Sequence, residues 1–431
     1  MLKPGHVVAL SVLGLLCLGV VMVNSSLMDV GRPVSIQSVL TSRSSVYAVL
    51  AVLAMILTAR LPLLRLAPGV NNPVATGPID DRWGGWTLKP LWIGAGLVIC
   101  CLLLVYIPGF GRHVNGANRW LNVPIPGMRE LSVQPSEIAK WAMIGLVAWY
   151  CWRIGSGQGG RERISDLWKG VVPGLAAVAI VCAVIVKEDL GTAVLIVLVA
   201  ATMFMAAGAK IWHFAAAIPV GALAFVAAVI TSPYRLERIT SFINPYLYPQ
   251  GKGYHMIQSM VAVSSGEGFG RGLGNGLNKF GYLPETETDF IFANICEEMG
   301  IPGALLVAVL YGAIVWAGLS IVSRQKPLIL KLIGLGVVST VGLQAVINMA
   351  VVTGMAPTKG IALPLLSSGG TGWILTAASL GLLINMDRIA STFAASTGTE
   401  STAEQPQETT ANTTDRADRA MAAGACEPLS V

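Results

Sequence analysis

The chain has 431 residues, 54% of them apolar and 12% charged, with a mean hydropathy of +0.67 and a formal charge of +6. Soluble domains carry about 25% charged residues, so this composition excludes a water-soluble globular protein and defines an integral membrane protein. The positive balance points to loop topology and anionic lipid partners, not to nucleic acid.

Met1–Lys3 followed by an apolar run from Val7 resembles a signal peptide. The run reaches Asn24 without a small-residue cleavage pattern, so it reads as an uncleaved first helix. A bilayer core takes about 20 apolar residues per helix. On that measure ten spans are expected, near 7–27, 45–64, 91–108, 137–153, 170–187, 190–209, 211–231, 289–322, 331–353 and 363–386, the eighth bent around Gly300–Gly303. Their length and lack of alternation exclude a barrel and predict an all-α polytopic fold. Fourteen Lys and Arg in the short loops of one side, against seven on the other, place both termini in the cytoplasm. Residues 232–288 then form one long outer loop between helices 7 and 8, and loops of that length are usually functional. Residues 1–388 read as the membrane domain. Residues 389–431, rich in Thr, Ala, Glu and Ser, read as a disordered cytoplasmic tail.

The seven cysteines form no CxxC pair, and most lie in or beside apolar segments, where a thiol is a small hydrophobe. The four histidines are scattered, so no zinc or haem site is legible.

Three regions outside the spans are unlike connectors. In 115–140, Arg119 stands beside Trp120, and Glu137 and Lys140 lie one helical turn apart at the start of the fourth span. That pair reads either as mutual neutralisation or as the polar wall of a substrate cavity. In the hairpin Lys187–Thr192, Asp189 reads as a helix N-cap or as a site residue. The outer loop carries Arg235, Arg238 and Gln258 and then alternates glycine from Gly266 to Gly276. Without a βαβ unit this is no dinucleotide fingerprint; it reads as a glycine-lined groove for a long, flat ligand.

The loop ends in PETETDFIF, where Glu285, Glu287 and Asp289 crowd the start of a helix. Repulsion and desolvation raise the pKa of the most buried acid in such a cluster. Asp289 is nearest the apolar phase and suits a general base that takes a proton from a sugar hydroxyl. The alternative is three solvated charges that complement the helix dipole.

Six patches in order resemble the SEDS family (shape, elongation, division and sporulation). They are GANRW at 116–120, QPSEIAK at 134–140, EDLGTAV at 188–194, the NPY-to-GYHMIQS stretch at 244–259, GLGNGLNKFGYLPETETDFIFANICEEMG at 272–300 and PTKGIALPLLSSGG at 357–370. The GLGNGLNKFGYLPE stretch looks closer to the division-type FtsW and SpoVE members than to the elongation-type RodA members. Three positions depart from the family pattern: Glu287 stands where His is common, Glu188 where Pro is, and Ser368 where Tyr is expected.

The resemblance implies a peptidoglycan glycosyltransferase in the bacterial cytoplasmic membrane, at the division septum, that polymerises lipid II with inversion. Asp289 matches the family's loop aspartate, the base for the acceptor 4-hydroxyl. Arg119, Glu137, Lys140, Asp189, Arg238, Gln258, Lys359 and Ser367 are the expected substrate-binding residues. No cofactor is required by the motifs, although a divalent cation (Mg2+ or Mn2+) would assist the leaving pyrophosphate. The implied partners are a class B penicillin-binding protein and other division proteins. Two competing readings are a lipid II flippase, which would depend on intramembrane charges and tolerate changes at Asp289, and a scaffold that displays the outer loop to a transpeptidase.

Overall fold

The computed structural model describes residues 3–27, 36–63, 89–107, 111–114, 117–123, 131–155, 160–251, 253–280, 282–357, 360–368 and 370–403. Helices lie at all ten expected positions: α1 (Pro4–Ser26), α2 (Arg43–Ala59), α3 (Lys89–Leu103), α4 (Pro135–Gly155), α5 (Val172–Glu188), α6 (Leu190–Ala207), α7 (Ile211–Ile230), α10 (Ile291–Ser323), α11 (Leu328–Val352) and α12 (Thr371–Ala403). Between α7 and α10 the segment expected to be the outer loop holds α8 (Pro233–Ile243) and α9 (Gly253–Ser265). Among the described residues, six helices are long and apolar enough to cross a membrane, and the α2, α3 and α7 regions form shorter apolar helices. The remaining one, α4, carries Glu137, Lys140 and Arg153.

Helix α11 is central, packing against α10, α6, α4 and α9, while α1 lies along α10 and α3 closes on α4 and α5. Small residues allow the close crossings expected where lipid offers no hydrophobic drive for association. At Gly336 of α11 a Cβ would come within 2.6 Å of Ile144 Cγ2 and 2.9 Å of the Met203 sulfur. By contrast, α7 exposes Ile211, Ile218, Leu223 and Ile230, as a lipid-facing helix does.

Helix α10 breaks at Gly300, whose φ of 62° and ψ of −151° are open to glycine. A break frees backbone groups that lipid cannot satisfy. The glycine-rich segment of the outer loop supplies the partners: Arg271 N and Gly272 N donate to the carbonyls of Glu297 and Glu298, and Ile301 N donates to Gly268 O. Glycine is needed for this approach, since a Cβ at Gly266 would collide with the Cys296 carbonyl and one at Gly270 (φ +80°) with Glu298 O. The alternation that suggested a ligand groove therefore lets this loop lie on helix backbone.

Two further features depart from the expected architecture. A three-stranded antiparallel sheet, ordered β1 (Gly111–Val114), β2 (Ala117–Val123) and β3 (Leu131–Val133), stands between α3 and α4. The last span begins at Thr371, not 363. Pro364 cannot donate into a helix, and Leu365 takes a φ of +64°, so residues 360–368 form a loop. That loop is pinned by Tyr311 OH donating to Pro364 O and by Leu363 N donating to Ser367 Oγ at 2.7 Å. At the other end, Met1–Arg388 forms one compact unit and Ile389–Val431 a second. The described part of the second, to Ala403, is helical, and the rest of the expected disordered tail lies outside the described residues.

Candidate active site

The acid cluster closes into a tight turn. Glu285 adopts a φ of +57°, and its carbonyl accepts from Thr288 N and Phe290 N, both at 3.2 Å. The turn sets Asp289, half-buried, on the residue before the α10 N-cap. Its neighbour across the site is the 360–368 loop: a Cβ on Gly360 would stand 2.5 Å from Asp289 Oδ2. The loop is stitched to the acid turn by Ser368 N, which donates to Glu287 O at 2.8 Å.

Beneath both lies α11. Asn348 Nδ2 donates to Asp289 O at 3.0 Å and to Ile361 O at 2.7 Å. One turn earlier, Gln344 Nε2 donates to Ala362 O at 2.7 Å, and its Oε1 accepts from Lys140 Nζ at 3.0 Å. Lys140 also pairs with Glu137 at 2.8 Å. The fourth span and the eighth-span mouth, far apart in sequence, thus meet through two amides and one loop.

On the other flank α9 places His255 against Phe290, rings stacked with centroids 6.2 Å apart. Burial, then the Arg238 charge, holds His255 below the usual imidazole range, with Glu285 opposing. Burial and the Glu285 charge push the Glu287 carboxyl above the usual carboxylate range. Glu285 thus acts on both His255 and Glu287 from within the turn that carries Asp289.

The structure gathers the residues proposed from sequence unevenly. Asp289 lies in the acid turn, Lys140 with its partner Glu137 reaches the facing loop through Gln344, the Arg238 charge acts on His255, and Gln258 lies half-buried on α9. Ser367 is 1% exposed; its Oγ accepts from Leu363 N and its carbonyl accepts from Trp373 Nε1 at 2.6 Å, so it shapes the loop. Asp189 is the N-cap of α6, accepting from Thr192 N at 3.1 Å and Thr192 Oγ1 at 2.6 Å. Arg119 is placed on β2, but its side chain lies outside the described residues, as does the whole of Lys359. Gln344, Asn348 and His255 were not singled out from sequence. The signal for the first two was there: paired amides in an apolar span mark a functional wall.

The fold and this constellation define a polytopic membrane protein with a polar site at the mouth of α10, around a carboxylate between two loops. The family described as cell cycle protein, which groups FtsW, RodA and SpoVE, matches residues 87–392, and the chain belongs to it. It is 39% identical over 306 residues to stage V sporulation protein E of Bacillus subtilis (strain 168), covering 70% of this chain and 80% of that protein. It is 34% identical over 390 residues to the probable peptidoglycan glycosyltransferase FtsW of Marinobacter nauticus, covering 90% of each. Among solved structures, a chain of a peptidoglycan synthase complex, solved for its structural coordination of polymerization and crosslinking, is similar with a TM-score of 0.64. The two are 25% identical over 89% of this chain and 97% of that one. The fold is also that of the rod shape determining protein RodA of Thermus thermophilus, with a TM-score of 0.54 at 23% identity, over 88% of this chain and 95% of that one.

Proposed function

We propose that the chain is a peptidoglycan glycosyltransferase of the division type, polymerising lipid II on the outer side of the cytoplasmic membrane at the septum. The observation that carries this reading is the placement of the Asp289 carboxylate against Gly360, at a helix mouth whose backbone is held by Asn348. The similarity over 90% of the chain to a probable peptidoglycan glycosyltransferase supports it.

In this reading Asp289 accepts the proton of the acceptor GlcNAc 4-hydroxyl. The freed oxygen attacks the anomeric carbon of the donor MurNAc as undecaprenyl pyrophosphate leaves. A single displacement inverts that centre and needs no covalent sugar–enzyme intermediate. The leaving pyrophosphate develops charge, which nearby cations stabilise. Arg238 and Arg119 suit bidentate phosphate contact, Lys359 follows as a point charge, and Lys140 contributes from its buried pair with Glu137. Among the described residues no three His, Cys, Asp or Glu side chains gather as a metal shell. A Mg2+ or Mn2+ ion, if used, would supply charge to the leaving pyrophosphate.

The partner in this reading is a class B penicillin-binding protein, which would crosslink the strands made here; the matched synthase complex is the support. The experiment that tests the function gives the purified chain lipid II in detergent and, separately, in vesicles. Glycan strands in detergent are the expected result. Translocation of lipid II across vesicles without strand formation would instead establish the flippase.

A further inference from the structure

We infer that Gln344 and Asn348 are positioning residues for this transfer, setting the Asp289 turn and the 360–368 loop relative to each other and to the buried Lys140–Glu137 pair. The inference rests on the reading of Asp289 as the base.

The two amides are one turn apart on α11 and share a face. Their surroundings, Leu343–Val351, are apolar but for these two residues, and they are 6% and 1% exposed. A side chain serving packing alone would be apolar there, because an amide in a span is unfavourable until bonded. Both amides spend their bonds on the site. Gln344 accepts a hydrogen bond from Lys140 and donates one to Ala362 O; Asn348 donates two, to Ile361 O and to Asp289 O.

Two carbonyls can only accept, so the orientation of the Asn348 amide is set by its partners. Its Oδ1 has no partner among the described residues. The residue thus forgoes its own acceptor to deliver two donors to the backbones that flank the Asp289 carboxylate. Neither amide needs to touch substrate for this. Without Asn348 the 289 carbonyl and the 361 carbonyl are free to separate, and the carboxylate moves with its backbone.

The test uses the purified full chain with lipid II and three variants: Asn348→Ala, Asn348→Asp, which keeps the volume but lacks both donors, and Gln344→Glu, which keeps the Lys140 contact but not the donor to Ala362. We expect kcat to fall by about 10²-fold in the Asn348 variants, as sub-ångström to ångström misplacement of a catalytic group does, with KM for lipid II unchanged and an unfolding temperature lowered by the two carbonyls left without a donor. Gln344→Glu should lower kcat by a smaller factor. Hydrogen exchange at residues 286–290 and 361–366 should quicken in Asn348→Ala, a readout independent of activity. Wild-type kcat in a folded Asn348 variant, a loss confined to KM, or unaltered exchange would overturn the inference. If the Asn348 variants do not fold, wild-type kcat in Gln344→Glu overturns it. A wild-type chain that makes no strands would count against the glycosyltransferase reading, and the exchange measurement would still decide the positioning.

Discussion

Lys279 and Glu298 meet at 3.0 Å with neither side chain exposed at all. Ser25 Oγ donates to both oxygens of Glu298, and Gly274 N donates to Oε2 at 2.8 Å. Lys279 in turn donates to Gly274 O at 2.7 Å. Together with Glu297, which accepts from Leu277 N and Asn278 N, this buried pair binds the outer loop to α1 and to the broken start of α10. Asp289 is carried on what it anchors.

Removing one partner of such a pair leaves an uncompensated charge, which costs about 3–5 kcal/mol. Lys279→Met should therefore lower the unfolding temperature of the detergent-solubilised protein sharply, more than Lys252→Met in the same loop. Equal effects of the two substitutions would show that the buried pair does not hold the loop.

A second prediction concerns Gly360. A methyl group there would stand 2.5 Å from Asp289 Oδ2, closer than side chains pack, so the carboxylate or the loop must shift. Gly360→Ala should reduce lipid II polymerisation by about 10²-fold, the scale for a misplaced catalytic group, while the unfolding temperature stays near wild type. Retained activity would mean that the base does not work from this position.

Glu287 gives a pH prediction. Its folded-state pKa is raised above the ordinary value of 4.5, by burial and by Glu285. Above 4.5 the unfolded chain binds fewer protons at this group than the folded one, so its contribution to stability falls as pH rises. Glu287→Gln should raise the unfolding temperature at neutral pH, and the gain should shrink as pH approaches 4.5. A variant less stable than wild type at neutral pH would contradict the assignment.

The spans and the candidate acid stand out in the sequence for different reasons. Hydropathy over twenty residues averages out local detail, so all ten helix positions could be read. Asp289 stood out because an acid beside Phe290, Ile291 and Phe292 is expensive. The 360–368 loop is hidden because Ile361, Leu363, Leu365 and Leu366 are as apolar as a span, and Pro364 with the SSGG run at 367–370 is the signal against it. Glycine alternation was misassigned because close approach to a ligand and close approach to the Glu297–Glu298 backbone need the same residue. Asn348 could be flagged from sequence only as one of two amides in an apolar span; its role is not readable there, because its partners are backbone carbonyls. Strands as short as Leu131–Val133 carry too little alternation to be recognised.

The most direct measurement is strand formation from purified lipid II by Asp289→Asn beside the wild-type chain, both with the transpeptidase partner present. The amide keeps the shape and the Asn348 bond to the 289 carbonyl but cannot take the acceptor proton. General-base loss is worth about 10²–10⁴-fold, so strands should fall to that extent or below detection, with folding and partner binding intact. Polymerisation by Asp289→Asn at the wild-type rate would contradict the account.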